Sequence, residues 1–321
     1  MSEQREIVVV GATGSQGGGL ARAILSDPDR EFSVRALTRD VHSIQARQLA
    51  DLGAHVVAAD IRREGELADA FKGAYGAFCV TFYWDHLSPA QEKEDAAKQA
   101  RAAHGAGVRH VIWSTLEDSR DVIPADNSRM PVLDKYYNVP HADSKAEANV
   151  FFENLGVPTT YLETAFYWEN LLTLDFGIRR NPEGALQLGL PTAGAPLSGI
   201  AAEDIGRTAL GVFKQGLGTV GQKVGIAGEH LTGAEMAATL QNVLGEKVLF
   251  APMEPTFLRS LGFPGSGDLA NMFQYQTEAS EALVSARSVR ATRELNPRLM
   301  DFEAWARLNK GLILGVSELP A

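Results

Sequence analysis

The chain has 321 residues, 45% of them apolar, and a formal net charge of −10. That length buries a substantial core, as one large domain or two moderate ones. The acidic balance excludes a broad nucleic-acid footprint, which needs a basic face, and no stretch approaches the roughly 20 apolar residues of a membrane span.

The single cysteine, Cys79, excludes a disulfide framework within the chain and reads as a buried thiol in Ala77-Phe78-Cys79-Val80. The polar, mixed-charge segment Met1 to Glu6 carries no export signal, so the cytoplasm is the expected location. In chain order, short β-branched runs predict strands at Ile7–Val10, Phe32–Leu37, His55–Ala58, Ala77–Thr81 and Val108–Ser114. Helices are predicted between them at Gln16–Leu25, Ser43–Leu52, Leu67–Phe71 and Pro89–His104. The alternation predicts an α/β fold of the Rossmann type, a doubly wound parallel sheet with right-handed crossovers. Ser88-Pro89-Ala90-Gln91 places a capping hydroxyl before a proline at the first helical position. A further helix, Ala142–Leu155, is expected to stop at Gly156, and Pro158–Glu163 reads as a sixth strand.

After Ala165 the pattern changes. Residues 171–202 are rich in glycine and proline and read as loops; Ala202–Phe213 reads as a helix. Lys223–Ala227 reads as a short strand that returns to the sheet, and Thr232-Gly233-Ala234-Glu235 is a capping box opening a helix to about Leu244. The remainder is expected to be mostly helical, through Asp268–Gln276 and Phe302–Leu312. The expected organisation is a nucleotide-binding domain over residues 1–165, joined by 223–227, and a smaller helix-rich lobe over 166–321 that carries the substrate or partner side.

The motif with the clearest chemistry is Ile7-Val8-Val9-Val10-Gly11-Ala12-Thr13-Gly14-Ser15-Gln16-Gly17, a strand, a glycine loop and a helix start. Gly11 turns the chain tightly off the strand, Gly14 lets a pyrophosphate approach the backbone, and Gly17 lets the helix pack on the sheet. The free amides and the dipole of the helix start favour an anion. Past the second strand the chain reads Thr38-Arg39-Asp40. The guanidinium of Arg39 is placed to grip a ribose 2′-phosphate, so NADP(H) rather than NAD is expected, although Asp40 beside it is an acid of the type NAD binders use. Asp60 ends the third strand and suits either an adenine amino group or the cap of the next helix.

Thr81-Phe82-Tyr83-Trp84 and Phe166-Tyr167-Trp168 follow strands four and six, where α/β sheets bind ligands, and flat apolar walls there suit a nicotinamide ring. His141 and Lys145 lie one helical turn apart, so they share a face. Ordinary short-chain dehydrogenases use Tyr-x-x-x-Lys; here histidine takes the tyrosine position, while Lys145 keeps the ribose role. His141 reads either as a proton donor or as a solvent-facing residue. Ser114 and Thr115, with Glu117, read either as groups orienting a substrate carbonyl or, preferably, as caps on strand five. No metal is expected.

Gly11 to Gly18, Thr38-Arg39, Val80 to Trp84, His141-Ala142-Asp143-Ser144-Lys145, Tyr167-Trp168-Glu169-Asn170 and the long stretch Leu261 to Phe273 together resemble the NmrA-like family of atypical short-chain dehydrogenases, over nearly the whole chain. The resemblance implies NADP(H) held by Gly11, Ala12, Thr13, Gly14, Ser15 and Gln16, and by Arg39, Asp40, Val41, His42 and Ser43. It adds Asp60, Ile61, Thr81, Phe82, Tyr83, Lys145, Tyr167, Trp168, Glu169 and Asn170, with Lys145 and His141 as the catalytic candidates. One departure matters: the family carries basic side chains after the second strand, whereas this chain has Asp40-Val41-His42-Ser43, leaving His42 as the helper of Arg39. The family divides into NADPH-dependent reductases of quinones, enones or imine-like groups and redox sensors that act on protein partners. A small-molecule substrate, a protein partner and a homo-oligomer are all compatible with it, and the reductase reading is preferred.

Overall fold

A seven-stranded sheet carries the first half of the chain, in a computed structural model that describes residues 4–316. Its strands are β1 (Arg5–Val9), β2 (Phe32–Thr38), β3 (His55–Ala58), β4 (Gly76–Cys79), β5 (His110–Thr115) and β6 (Thr159–Glu163), joined at the edge by Lys223–Gly225. Their order across the sheet is Lys223–Gly225, β6, β5, β4, β1, β2, β3, and the pairings among β1 to β6 are parallel. Strand order therefore reverses between β1 and β4, the switch point beyond whose carboxyl ends such sheets bind ligands. The expected strands are all present, each within two residues of its expected ends, and the return near residue 223 is observed.

Five helices cross over in this half: α1 (Ser15–Leu25), α2 (Ile44–Asp51), α3 (Glu64–Phe71), α4 (Pro89–Gly105) and α5 (Pro140–Asn154). Ser88 caps α4 by accepting from Gln91 N, with Pro89 in the first turn. The chain leaves α5 through Gly156 at φ +63°, the left-handed conformation that glycine adopts at least cost. Helix α3 starts three residues earlier than expected, and Glu64 and Glu66 in its first turn complement the helix dipole.

The chain forms two compact units built from interleaved segments. The first comprises residues up to Asp118, His141–Thr164 and Glu203–Val224; the second comprises Ser119–Pro140, Ala165–Ala202 and the chain from Gly225 onward. The expected boundary at 165 is thus one of several crossings. Close helix packing explains one of them. Helix Ala202–Lys214 meets α1 backbone to backbone, and a Cβ added at Gly206 would lie 2.0 Å from Leu20 N.

In the second unit, Phe166–Tyr167, Leu197–Ile200 and Glu229–Leu231 form one small sheet, and Ile178–Arg180, Leu186–Leu190 and Val248–Pro252 another. Short strands thus stand in the segment expected to be loops, and Val248–Pro252 is a strand in a stretch expected to be helical. Strands this short carry too few alternations to register as a period. The capping box is formed, with Thr232 and Glu235 reciprocally bonded at the start of Gly233–Leu244. Trp168, Leu188, Met236, Leu240, Phe273 and Trp305 are among the buried residues of this core. Among the described residues no helix is long and apolar enough to cross a membrane.

Candidate cofactor and active site

The first unit gathers its chemistry at the carboxyl ends of β1 to β5. Gly11 turns the chain off β1 at φ +63°, and a Cβ there would meet the Phe82 ring at 2.8 Å. Gly14 N donates to the Gly11 carbonyl at 2.9 Å. Gly17 follows so closely that an added Cβ would lie 2.5 Å from the same oxygen. Glycine is required at 11 for conformation and contact, and at 17 for contact. No side chain caps α1, and Gly14 and Ser15 are exposed, which leaves the positive end of the helix open to an anion.

The loop is tied to its neighbours. Ala12 N donates to the Leu37 carbonyl at 3.2 Å, and the hydroxyls of Thr13 and Thr38 are 3.5 Å apart. Gln16 accepts from Ser114 Oγ at 2.7 Å, joining α1 to the end of β5. Thr115 Oγ1 lies 3.0 Å from Asn149 Oδ1 and 3.1 Å from the Lys145 carbonyl, joining β5 to α5. Ser114 and Thr115 therefore use their hydroxyls to tie the strand end to α1 and α5.

Past β2, Arg39 projects with 63% of its side chain exposed and one long ion pair, 3.5 Å to Asp85. Asp40 takes its own turn: Oδ1 accepts from His42 N at 2.8 Å, and Ser43 Oγ donates to the Asp40 carbonyl at 3.0 Å while capping α2. His42 is exposed and Val41 half-buried. Asp60 is half-buried and held by Arg62, which donates from Nε (3.0 Å), Nη2 (2.7 Å) and its backbone N (3.0 Å). Those bonds hold the Asp60 carboxyl at about 2, below the ordinary 3.8. Helix α3 begins beyond it, after Arg63, so Asp60 is not that helix's cap; it holds the Arg62 turn instead. Ile61 is half-buried beside it.

Thr81, Phe82 and Tyr83 follow β4. Lys145, on α5, reaches this strand end: its Nζ donates to Thr81 Oγ1 and to Glu92 Oε1, both at 2.6 Å. Thr81 Oγ1 in turn donates to Glu92 Oε1 at 2.5 Å. Burial alone would raise the Glu92 carboxyl, but the Lys145 ammonium and the surrounding hydrogen bonds outweigh it and hold it at about 2. His86 Nε2 lies 3.4 Å from the other oxygen of Glu92. One turn before Lys145, His141 is buried rather than solvent-facing, its ring 5.0 Å from Trp84 and 5.9 Å from Tyr83 between centroids. Trp84 itself is half exposed and offers a flat apolar wall. Cys79 is fully buried, and burial pushes its thiol up.

Gly11 to Gln16, Arg39 to Ser43, Asp60, Ile61, Thr81 to Tyr83, His141 and Lys145 all belong to the first unit, whereas Tyr167, Trp168, Glu169 and Asn170 belong to the second. There Trp168 packs edge-on to Phe302, and Glu169 accepts from Trp305 Nε1 at 3.0 Å and from Ala202 N at 2.9 Å. Sequence reasoning passed over Arg62, Asp85, His86 and Glu92. One signal was available: Glu92, Asp95 and Gln99 recur at helical spacing on the buried stripe of α4, where apolar residues are the rule.

The model of the NmrA-like family matches residues 3–306. An NmrA-like family domain-containing oxidoreductase of Aspergillus hancockii is 31% identical over 314 residues, covering 90% of each chain. Among solved structures, NmrA, a negative transcriptional regulator, in complex with NADP, is similar with a TM-score of 0.79 at 21% identity, over 95% of each chain. The Citrobacter triphenylmethane reductase complexed with NADP(H) is similar with a TM-score of 0.73 at 18% identity, over 96% of this chain and 100% of that one.

Proposed function

Because the chain belongs to the NmrA-like family, we propose that it binds NADP(H) in its first unit and reduces a small quinone, enone or imine-like acceptor. The observation that carries this reading is the start of α1, a glycine turn that an added Cβ would crowd at positions 11 and 17, leading into an uncapped helix N-terminus. A pyrophosphate fits that cradle through backbone amides and the helix dipole. Arg39, largely exposed beyond β2, supplies the guanidinium for a 2′-phosphate, and Asp60 supplies an acceptor for the adenine amino group. The cofactor relations of the NADP-bound structural neighbours and the oxidoreductase name of the Aspergillus hancockii relative support the same reading.

Bound NADPH supplies hydride. This chain supplies the setting for its transfer. Lys145 would hold the nicotinamide ribose and present positive charge where the acceptor gains electrons; His141, one turn earlier on the same helix, is the second catalytic candidate. Phe82 and the exposed face of Trp84 form flat walls suited to a conjugated acceptor.

The test is NADPH oxidation by the purified protein against a panel of quinones, enones and imines, together with calorimetry using NADPH and NADH. Turnover abolished by Lys145→Ala is the expected result. Arg39→Ala is expected to weaken NADPH by roughly 10- to 100-fold, the worth of a charge-assisted contact, while barely changing NADH. Tight NADPH binding with no turnover on any acceptor would favour a redox sensor with a protein partner, the reading that histidine at the tyrosine position favours. Equal losses for the two cofactors would refute the role of Arg39.

A further inference from the structure

We propose that Glu92 is the counter-ion and positioning residue of Lys145, holding this lysine as a fixed hydrogen-bond donor in the cofactor site. The proposal rests on the reading above that Lys145 contacts the cofactor. It goes beyond that reading by assigning a role to a buried carboxylate on another helix.

Glu92 is completely buried. A carboxylate is tolerated there only when it is paired and hydrogen-bonded. Its Oε1 meets Lys145 Nζ at 2.6 Å and the Thr81 hydroxyl at 2.5 Å, and the same hydroxyl meets Lys145 Nζ at 2.6 Å, so three polar atoms close a ring. The proton directions in that ring are forced. A carboxylate only accepts and an ammonium only donates, so the single threonine proton goes to Glu92 and threonine accepts from lysine. Two of the three lysine N–H groups are thereby committed. The third has the Thr81 carbonyl at 3.4 Å, a long bond that a ligand hydroxyl can replace.

Helix α4 braces the arrangement from beneath. One and two turns beyond Glu92 on the same buried stripe are Asp95 and Gln99. Gln99 Oε1 accepts from Val80 N at 3.2 Å and its Nε2 donates to the Val80 carbonyl at 3.1 Å. The residue before Thr81 and the carboxylate opposite Lys145 are thus clamped by one helix, and the strand end, the hydroxyl and the ammonium are set as a unit. Other polar and charged groups near the pair are His86, 3.4 Å from Glu92 Oε2; Asp95, engaged by Gln91 and Lys98; the Lys93–Glu147 ion pair between the same two helices; His141, one turn back along α5; and Tyr83, just after β4, whose ring meets the His86 and His141 rings. The Trp113 ring also lies near the lysine, 5.4 Å from Nζ.

Removing the Glu92 charge takes away the carboxylate paired with an ammonium whose side chain is only 12% exposed. Burial then favours the neutral amine over an unpaired ammonium. The experiment measures the NADPH dissociation constant of the full chain from about pH 6.5 to about pH 9.5, a range that ends below the ordinary lysine value. Four proteins are compared: wild type, Glu92→Gln, Glu92→Asp and Lys145→Ala. The expected result is parallel pH dependence for wild type and Glu92→Asp, with Glu92→Gln weakening progressively by about tenfold relative to them at the alkaline end. A packing role alone would weaken Glu92→Gln equally at every pH. If Lys145→Ala weakens binding while Glu92→Gln tracks wild type across the range, Glu92 has no such role and the cofactor reading stands. If Lys145→Ala binds NADPH like wild type, both fall. Should Glu92→Gln not fold, Glu92→Met, which keeps the length of the side chain and removes its charge, takes its place in the same comparison, with the same two outcomes.

Discussion

Replacing Gly17 with alanine tests the cradle at its tightest point. The added Cβ would lie 2.5 Å from the Gly11 carbonyl oxygen and 2.7 Å from both the Gly11 carbonyl carbon and the Val10 carbonyl oxygen. All three are backbone atoms, so no side-chain rotation relieves the contact, and the loop must retreat by several tenths of an ångström. That oxygen also accepts from Gly14 N at 2.9 Å, so the retreat disturbs the turn that leads into α1. Overpacking of this kind costs about 1–3 kcal/mol, against a gain of at most about 1 kcal/mol from replacing glycine in a helix. The expected net loss is about 1–2 kcal/mol by urea denaturation, with NADPH affinity lowered in the same protein because the amides of the loop move. Gly65→Ala is the internal control: it lies in helix α3, its added Cβ meets nothing within 4 Å, and it is expected to gain about 0.5 kcal/mol. A Gly17→Ala protein that is as stable as wild type and binds NADPH with unchanged affinity would refute the argument.

Two further outcomes are expected. Gly206→Ala sets a Cβ 2.0 Å from Leu20 N and 2.3 Å from the Gly19 carbonyl carbon, so α1 and the helix Ala202–Lys214 must separate. A loss of at least about 3 kcal/mol should appear as a lowered urea midpoint, and a change under about 1 kcal/mol would show that this crossing is looser than described. His110 is buried, with Nε2 2.9 Å from Thr160 Oγ1, and burial lowers it from 6.5 to about 4. Between those values the unfolded chain takes up a proton that the folded chain refuses, so this contribution is intact above about pH 6.5 and is lost as pH falls toward 4. From about pH 7.5 to about pH 4.5, wild type should lose about 2.5 kcal/mol more than His110→Asn in denaturant unfolding; equal losses would remove His110 as the cause.

The geometry of the glycine turn was legible because it is local. The turn off β1, the helix it opens and the position of Arg39 lie within short spans whose spacing carries their geometry. The strands β1 to β6 and helices α1 to α5 declared themselves through period and caps for the same reason. The small strands of the second unit did not, because three to five residues interrupted by Gly and Pro display no period. His141 shows how a local reading leaves a question open: its helix position was readable, but its burial is set by Trp84 and Tyr83, more than 50 residues away.

What the sequence determined by itself is the sheet, its glycine turn and the lysine on the helix after β5, since each depends on neighbours along the chain. Tertiary structure alone decided the partners of that lysine. Glu92 sits 53 positions before it and looks, in the sequence, like one more acid in a charged helix turn. Only when α4 and α5 both pack on the sheet does its carboxylate lose water, and burial then compels it to find a cation. The same holds for Gly19 and Gly206, whose need to be glycine arises where two helices touch, not within either. It holds too for the place of Lys223–Gly225 at the sheet edge beside β6.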